Sequence, residues 1–326
     1  MPETNFITDY NAPYDWLSDL QPVFAAQQSW ENGTYRQIVT GHLLYQPEGP
    51  FAIACGASSL AEHIRMFRIT VDVIRRLGQV TDEMGRSLFR ESFLNHLQRL
   101  QLRVQVNIAP EGTLLLAGEP VLTVQGPELQ VRLMESAFRV LLWQPTHWAT
   151  RAAMTRWKNG SLTEEETPPA PSYPFNPQGW KIRASYIGGA SADEMLENLN
   201  LPARPVLTGE GLVSLEKTPG NPLVQVRRLF RGNQVLADQW LTAQDEETAS
   251  VSKTVTQLND EGSRQAVEIG MTRFQNLYQP VLVKGHPVLA VQRLGYLRQR
   301  TLKQMEIFRT SGLEQYPHGW MLQKID

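Results

Sequence analysis

The chain has 326 residues, 41% of them apolar, 20% charged and 9% aromatic, enough for one large globular domain or two medium ones. Its 31 Lys and Arg nearly balance 33 Asp and Glu, a net charge of −2, which argues against a protein that holds nucleic acid or an anionic membrane by bulk charge. A single cysteine, Cys55, excludes an internal disulfide framework and any cysteine cage for zinc or iron–sulfur. No run approaches the roughly 18 consecutive apolar residues of a membrane span. Met1-Pro2-Glu3-Thr4 also opens without a basic-then-apolar signal pattern, so a cytoplasmic setting is expected.

In chain order, Asp19 to Trp30 is apolar at helical spacing and ends at the helix-stopping Asn32-Gly33. Val39 to Tyr45 reads as a strand, with Phe51 to Cys55 as its expected partner. Ser58 or Ser59 is the expected cap of a helix through Leu60, Ile64 and Phe67. Helical runs follow over Val71 to Leu77 and, capped by Thr81, through Met84, Leu88, Leu94 and Leu97. From Leu102 to Ile108 the period changes to two, as in a half-buried strand. Pro110-Glu111-Gly112 and Gly118-Glu119-Pro120 turn the chain into two more strands, Thr113 to Leu116 and Val121 to Val124. A long helix from Glu128 to about Trp157 should kink near Pro145, which has no N–H to give.

Five prolines fall within 168–177, after Glu164-Glu165-Glu166, and mark a solvated loop. Lys181 to Ile187 then reads as a strand, Asp193 to Leu201 as a short helix and Pro205 to Thr208 as a strand. One hairpin turns at Arg231-Gly232-Asn233, between Val224–Phe230 and Val235–Trp240. A second turns at Lys284-Gly285, and an amphipathic helix spans Leu294 to Phe308.

Few residues announce chemistry. Gly209-Glu210-Gly211 is the one candidate phosphate loop, but its central carboxylate would repel a phosphate, and a plain turn is the better reading. Gly188-Gly189 after the expected strand could approach a ligand closely or simply turn the chain. The six histidines form no pair at metal-ligand spacing, and His63 and His96 sit on amphipathic helices. No histidine occurs between Trp148 and Gly285, and Asp193 is the only aspartate between Ser161 and Leu236. Trp143, Trp148, Trp157 and Trp180 could be core or interface.

Several segments together resemble the nicotinate phosphoribosyltransferase family, which joins nicotinate to phosphoribosyl pyrophosphate in NAD salvage. They are Leu17-Ser18-Asp19-Leu20-Gln21 through Asn32-Gly33, Phe51 to Gly56 with Phe67-Arg68-Ile69-Thr70, Pro110-Glu111-Gly112-Thr113, Val124-Gln125-Gly126-Pro127, and Leu141 to Ala153. The resemblance covers 15–157 and about 221–320. It implies an α+β fold: a small sheet-and-helix domain built from both chain ends (1–157 with 221–326), beside an α/β barrel. Only 63 residues, 158–220, remain for that barrel, against about 200 or more for a closed one. A severely truncated barrel remnant behind a proline-rich loop is therefore expected.

The family's ring-stacking tyrosine corresponds to Gln21. Arg183 to Gly189 resembles its "ARAAYIGG" stretch. The register beyond is open: either the family's catalytic histidine falls at or near Leu212, or Gly209-Glu210-Gly211 is what remains of its phosphate segment. Phosphoribosyl transfer needs a pyrophosphate cradle and usually magnesium, and the family's cycle also uses ATP. The expectation is a family member that has lost catalysis and serves binding or scaffolding. It has no catalytic or metal residues, and its remnant substrate contacts are Gln21, Arg183, Gly188, Gly189, Gly209 and Gly211. No cofactor is expected unless the chain is an active enzyme with a minimised site, in which case magnesium and ATP are; a nicotinate or nucleotide sensor is a third reading. A homodimer is expected, with a possible protein partner on the surface that the missing barrel leaves open.

Overall fold

The computed structural model describes residues 20–44, 49–116, 119–159, 177–191, 194–195, 215–217, 223–242, 254–258, 264–268, 273–283, 286–289, 292–311 and 321–322. The proline-rich loop before Pro177, the strand expected over Pro205 to Thr208, and Gly209 and Gly211 lie outside them. So does most of the helix expected from Asp193, of which Glu194 and Met195 are helical.

Helix α1 (Gln21–Glu31) leads into β1 (Ile38–Leu44), β2 (Phe51–Ile53), α2 (Ala57–Met66), α3 (Val71–Gly78) and α4 (Glu91–Gln98). Strands β3 (Gln105–Ile108), β4 (Leu114–Leu116) and β5 (Pro120–Pro127) come next. They precede α5 (Glu128–Phe138), a π-helical turn (Arg139–Trp143), α6 (Gln144–Asn159) and α7 (Pro177–Ile187). The remainder is β6 (Leu215–Lys217), β7 (Leu223–Arg231), β8 (Gln234–Thr242), β9 (Thr254–Leu258), β10 (Arg264–Glu268), β11 (Arg273–Asn276), β12 (Gln279–Val283), β13 (His286–Pro287), α8 (Leu294–Thr310) and β14 (Met321–Leu322).

The largest sheet runs in the order β13-β12-β3-β5-β1-β6, so strands from both halves of the chain share it. Alternation in β3 and β5 turns Val106, Ile108, Leu122 and Val124 into a core that α2 and α5 close. A second sheet, β11-β7-β8-β14, packs Phe230 and Val235 against α8 and joins the cluster of Phe51, Ala149, Ala184 and Phe308. A third cluster seats α1 on α5 through Val23, Ala26, Phe89, Phe93 and Leu133.

The structure corrects several sequence expectations. Strand β2 pairs with β4, in register Phe51↔Leu116 and Ile53↔Leu114, and not with β1. Helix α2 is entered from Gly56 in the left-handed region (φ +101°), one residue before Ala57; neither Ser58 nor Ser59 caps it. The helix expected from Thr81 begins only at Glu91, because Asp82 accepts from Met84 and Arg86 and holds 81–87 in a tight bridged turn. Met84 in that turn is 79% exposed. The stretch Lys181 to Ile187 is helix α7, not a strand.

The break in the long helix falls just before Pro145, as five residues in π geometry. Pro145 cannot donate to Leu141 four residues back, and widening the turn absorbs the missing bond. The backbone of Gly56 packs on the same carbonyl: a Cβ there would lie 2.0 Å from Leu141 O. The Arg231-Gly232-Asn233 hairpin forms as expected, with Gly232 at φ +61°. The second hairpin pairs Leu282↔Pro287 and Val283↔His286.

Candidate functional site

Arg183 is the one charged residue among the candidates, and its neighbourhood is built from four elements. The turn after β3 carries Glu111. Gly112 (φ +78°) bends that turn so that its N–H donates to Ala54 O. Glu111 thereby meets the N-terminus of α2. Its Oε1 accepts from Gly56 N at 3.0 Å and its Oε2 from Ser58 Oγ at 2.7 Å. A carboxylate suits this place, because the first N–H groups of a helix have no partners within it and carry partial positive charge.

Helix α7 brings Arg183 to the opposite side, where its Nη2 donates to Glu111 Oε2 at 2.7 Å and to Ser58 Oγ at 3.2 Å. Burial works against the Glu111 charge. The Arg183 guanidinium, Ser58 and the Gly56 N–H outweigh it and hold the carboxyl below its ordinary range. Burial, and then the Glu111 charge, pushes the neighbouring Cys55 thiol up, so Cys55 is a protonated thiol and a poor nucleophile. The arrangement is a closed ion pair that ties α7 to the start of α2. It offers Arg183 to an anionic ligand only by giving up Glu111.

Gly188 and Gly189 close α7. Gly189 N donates to Tyr186 O and Ala190 N to Ser185 O, the paired bonds of a Schellman ending, with Gly189 left-handed at φ +95°. Two buried arginines complete it: Arg156 Nη1 donates to Gly189 O at 2.5 Å, and Arg298 Nη1 donates to Tyr186 O and Ala190 O. A Cβ on Gly188 would lie 2.1 Å from Ala149 O, so the glycine admits helix α6 at this point. Gln21 is exposed at the first turn of α1, a helix that belongs to a different core cluster from α7.

Sequence reasoning missed the partner of Arg183. Glu111 stands 72 positions away, and the only local hint was a glutamate in a turn that Gly112 makes. It also missed a second buried cluster. Arg228 on β7 grips Asp238 on β8 through Nε at 2.9 Å and Nη2 at 2.6 Å, and its Nη1 donates to Leu114 O. Glu119 lies beside them and accepts from Leu116 N at 2.7 Å. Burial, and then the adjacent Asp238, pushes its carboxyl well up, and its Oε2 also lies 3.5 Å from Arg228 Nη2. Burial opposes the charge on Asp238 as well, but Arg228 prevails and keeps it ionised.

The tryptophans divide between two roles. Trp180 is buried in the main core, and Trp157 meets Phe51 and Phe308 edge-on at 5.5 and 5.6 Å. Trp143 and Trp148 are half-buried around His147, with the Lys181 ammonium 4.4 Å from the Trp148 ring. Among the described residues no group of three His, Cys, Asp or Glu side chains could hold a metal, and no helix is long and apolar enough to cross a membrane.

The architecture is a mixed helix-and-sheet fold of the phosphoribosyltransferase type. It superposes on the crystal structure of human nicotinic acid phosphoribosyltransferase with a TM-score of 0.62 and 16% identity, over 94% of this chain and 97% of that one. In sequence the chain is similar to the nicotinate phosphoribosyltransferase of Bacillus subtilis, 25% identical over 190 residues, or 56% of this chain and 38% of that protein. It is 31% identical to the human enzyme over 148 residues and 34% identical to the rat enzyme over 113, matches that span 26% and 20% of those proteins. The matched region is therefore well under half the length of these relatives. No protein-family model matches the chain. The family resemblance read from the sequence is supported.

Proposed function

We propose that this chain is a nicotinate phosphoribosyltransferase-like protein of the pyridine-nucleotide salvage type whose fold serves binding or scaffolding instead of turnover. In this reading residues 158–220 stand where the family carries most of its barrel. The observation that supports it is the use already made of the candidate ligand contacts. Arg183 is engaged by Glu111 and Ser58, while Gly188 and Gly189 are occupied by the ending of α7 and by contact with α6. A phosphate arriving there would compete with a buried carboxylate and with backbone already in place.

The protein acts as a cytoplasmic homodimer in this proposal, and needs magnesium and ATP only if it turns over. Calorimetric titration with phosphoribosyl pyrophosphate and magnesium, with and without nicotinate, tests it beside an assay for nicotinate mononucleotide. The expected result is no product under either condition. Product at a rate that scales with enzyme concentration overturns the proposal and establishes an enzyme with a minimised site. Heat without product selects a sensor over a scaffold.

A further inference from the structure

Helix α8 and strands β7, β8 and β11 enclose a cleft of about 430 Å³, floored by Leu114 and Leu116 of β4. That volume lies in the range of small-molecule sites. Of the residues picked out in the sequence, Gln21, Arg183, Gly188 and Gly189 do not line it. Its polar rim is one-sided in charge: Arg273, Arg300 and Lys303 line it, with no aspartate or glutamate among the described lining residues.

Arg228 at the floor is already neutralised by Asp238. The other three cations make different contacts among the described residues. Arg273 lies with its guanidinium 4.8 Å from the Phe230 ring, and Arg300 donates to the Glu111 carbonyl at 3.1 Å and stacks on Tyr296 at 5.0 Å. Among the described residues no carboxylate pairs with Arg273, Arg300 or Lys303. Three like charges around one concavity repel each other, and an anion entering it relieves that repulsion. The inner wall is apolar, formed by Phe230, Leu277 and Phe308.

We propose that this cleft binds a small phosphate monoester with an aromatic or apolar body. A monoester carries about −1.5 to −2 charges and three acceptor oxygens, which suits several cations better than the single charge of a carboxylate. Its body would cover the Phe230–Phe308 wall, as burial of apolar surface favours.

The test uses the full chain and phenyl phosphate as probe, followed by calorimetry, with benzoate and inorganic phosphate as comparators. Phenyl phosphate is expected to bind at least about tenfold tighter than either comparator, since each supplies only half of the recognition. Arg273→Gln with Lys303→Gln, two exposed side chains whose replacement leaves the core intact, is expected to weaken it by about tenfold or more. Lys158→Gln, exposed at the end of α6, should leave it unchanged. Absence of heat at millimolar phenyl phosphate, equal affinity for phenyl phosphate and inorganic phosphate, or an unaltered affinity in the double variant would each overturn the proposal. Phosphoribosyl pyrophosphate binding that survives the double substitution belongs to another site, which separates this test from that of the proposed function.

Discussion

The Arg228–Asp238–Glu119 cluster places two carboxyls beside one guanidinium. Burial with their mutual repulsion pushes Glu119 up while Arg228 holds Asp238 down, which predicts that Glu119 carries the proton. Asp238 is 1% exposed, Glu119 3% and Arg228 4%, so none is screened by water. Asp238→Asn removes the bidentate partner of Arg228 and also the charge that holds the Glu119 carboxyl up. Glu119, with Oε2 3.5 Å from Arg228 Nη2, then takes over as counter-ion, and the expected cost is about 1.5–3 kcal/mol. Glu119→Gln behaves differently. As a carboxylate, Oε1 of Glu119 finds no donor; protonated, it donates to Asp238, while Oε2 accepts from Leu116 N. A glutamine amide reproduces both bonds and should cost less than about 1 kcal/mol at neutral pH.

The pH dependence has a definite sign. Because the folded carboxyl is raised above its ordinary value of 4.5, the native chain takes up a proton on folding and loses stability as pH rises above 4.5 towards the raised value. Glu119→Gln lacks that loss, so its stability relative to the native chain should climb over the same window. Urea unfolding midpoints of both variants from pH 4 to 8 measure this. Equal destabilisation by the two substitutions, or a relative stability of Glu119→Gln that does not change with pH, would refute the assigned proton.

Three further outcomes are expected. Gly56→Ala combines a left-handed backbone with a Cβ 2.0 Å from Leu141 O and should cost about 3 kcal/mol or more, whereas Gly85→Ala, at φ +76° with open space around it, should cost about 1 kcal/mol; thermal melts compare them directly. His63, buried in α2, has its pKa lowered by burial from 6.5 to about 4. Its contribution is complete above pH 6.5 and is lost as pH falls towards 4, by about 3 kcal/mol at most, and His63→Leu should remove that part of the acid slope in unfolding titrations. Arg183→Met leaves Glu111 charged and enclosed; with one edge of Arg183 open to water the expected loss is about 2 kcal/mol, and the Glu111 carboxyl should move up in a carbon-13 NMR titration.

Local patterns that carry their own geometry were legible in the sequence. Arg231-Gly232-Asn233 foretold a hairpin because a tight turn there needs a positive φ, and Pro145 foretold a break because it lacks a donor. Helix α7 was misread because Ile182, Ala184 and Tyr186 alternate with polar residues. In the fold Lys181 and Ser185 are buried as well, so no polar face marked the helical period. The pairing of β2 with β4 and the meeting of Arg183 with Glu111 depend on contacts 60 to 190 positions long, such as those binding α8 to the Glu111 turn, and nothing in a local window encodes them. The Gly188-Gly189 pair invited a ligand reading, but left-handed glycine serves a helix ending equally well.

The order of strands in the largest sheet has a consequence for biosynthesis. Strand β3 is flanked by β5 on one side and by β12 on the other, and about 170 residues separate Ile108 from Gln279. At about 5–20 residues per second the ribosome needs roughly 10–35 s to deliver the second neighbour. Through that interval the nascent chain carries β3 as an open edge, able to recruit strands from other chains. Yield from slow or cold expression is therefore limited by how well that edge is shielded until residues 279–283 emerge, and chains that terminate before them should be recovered in aggregates.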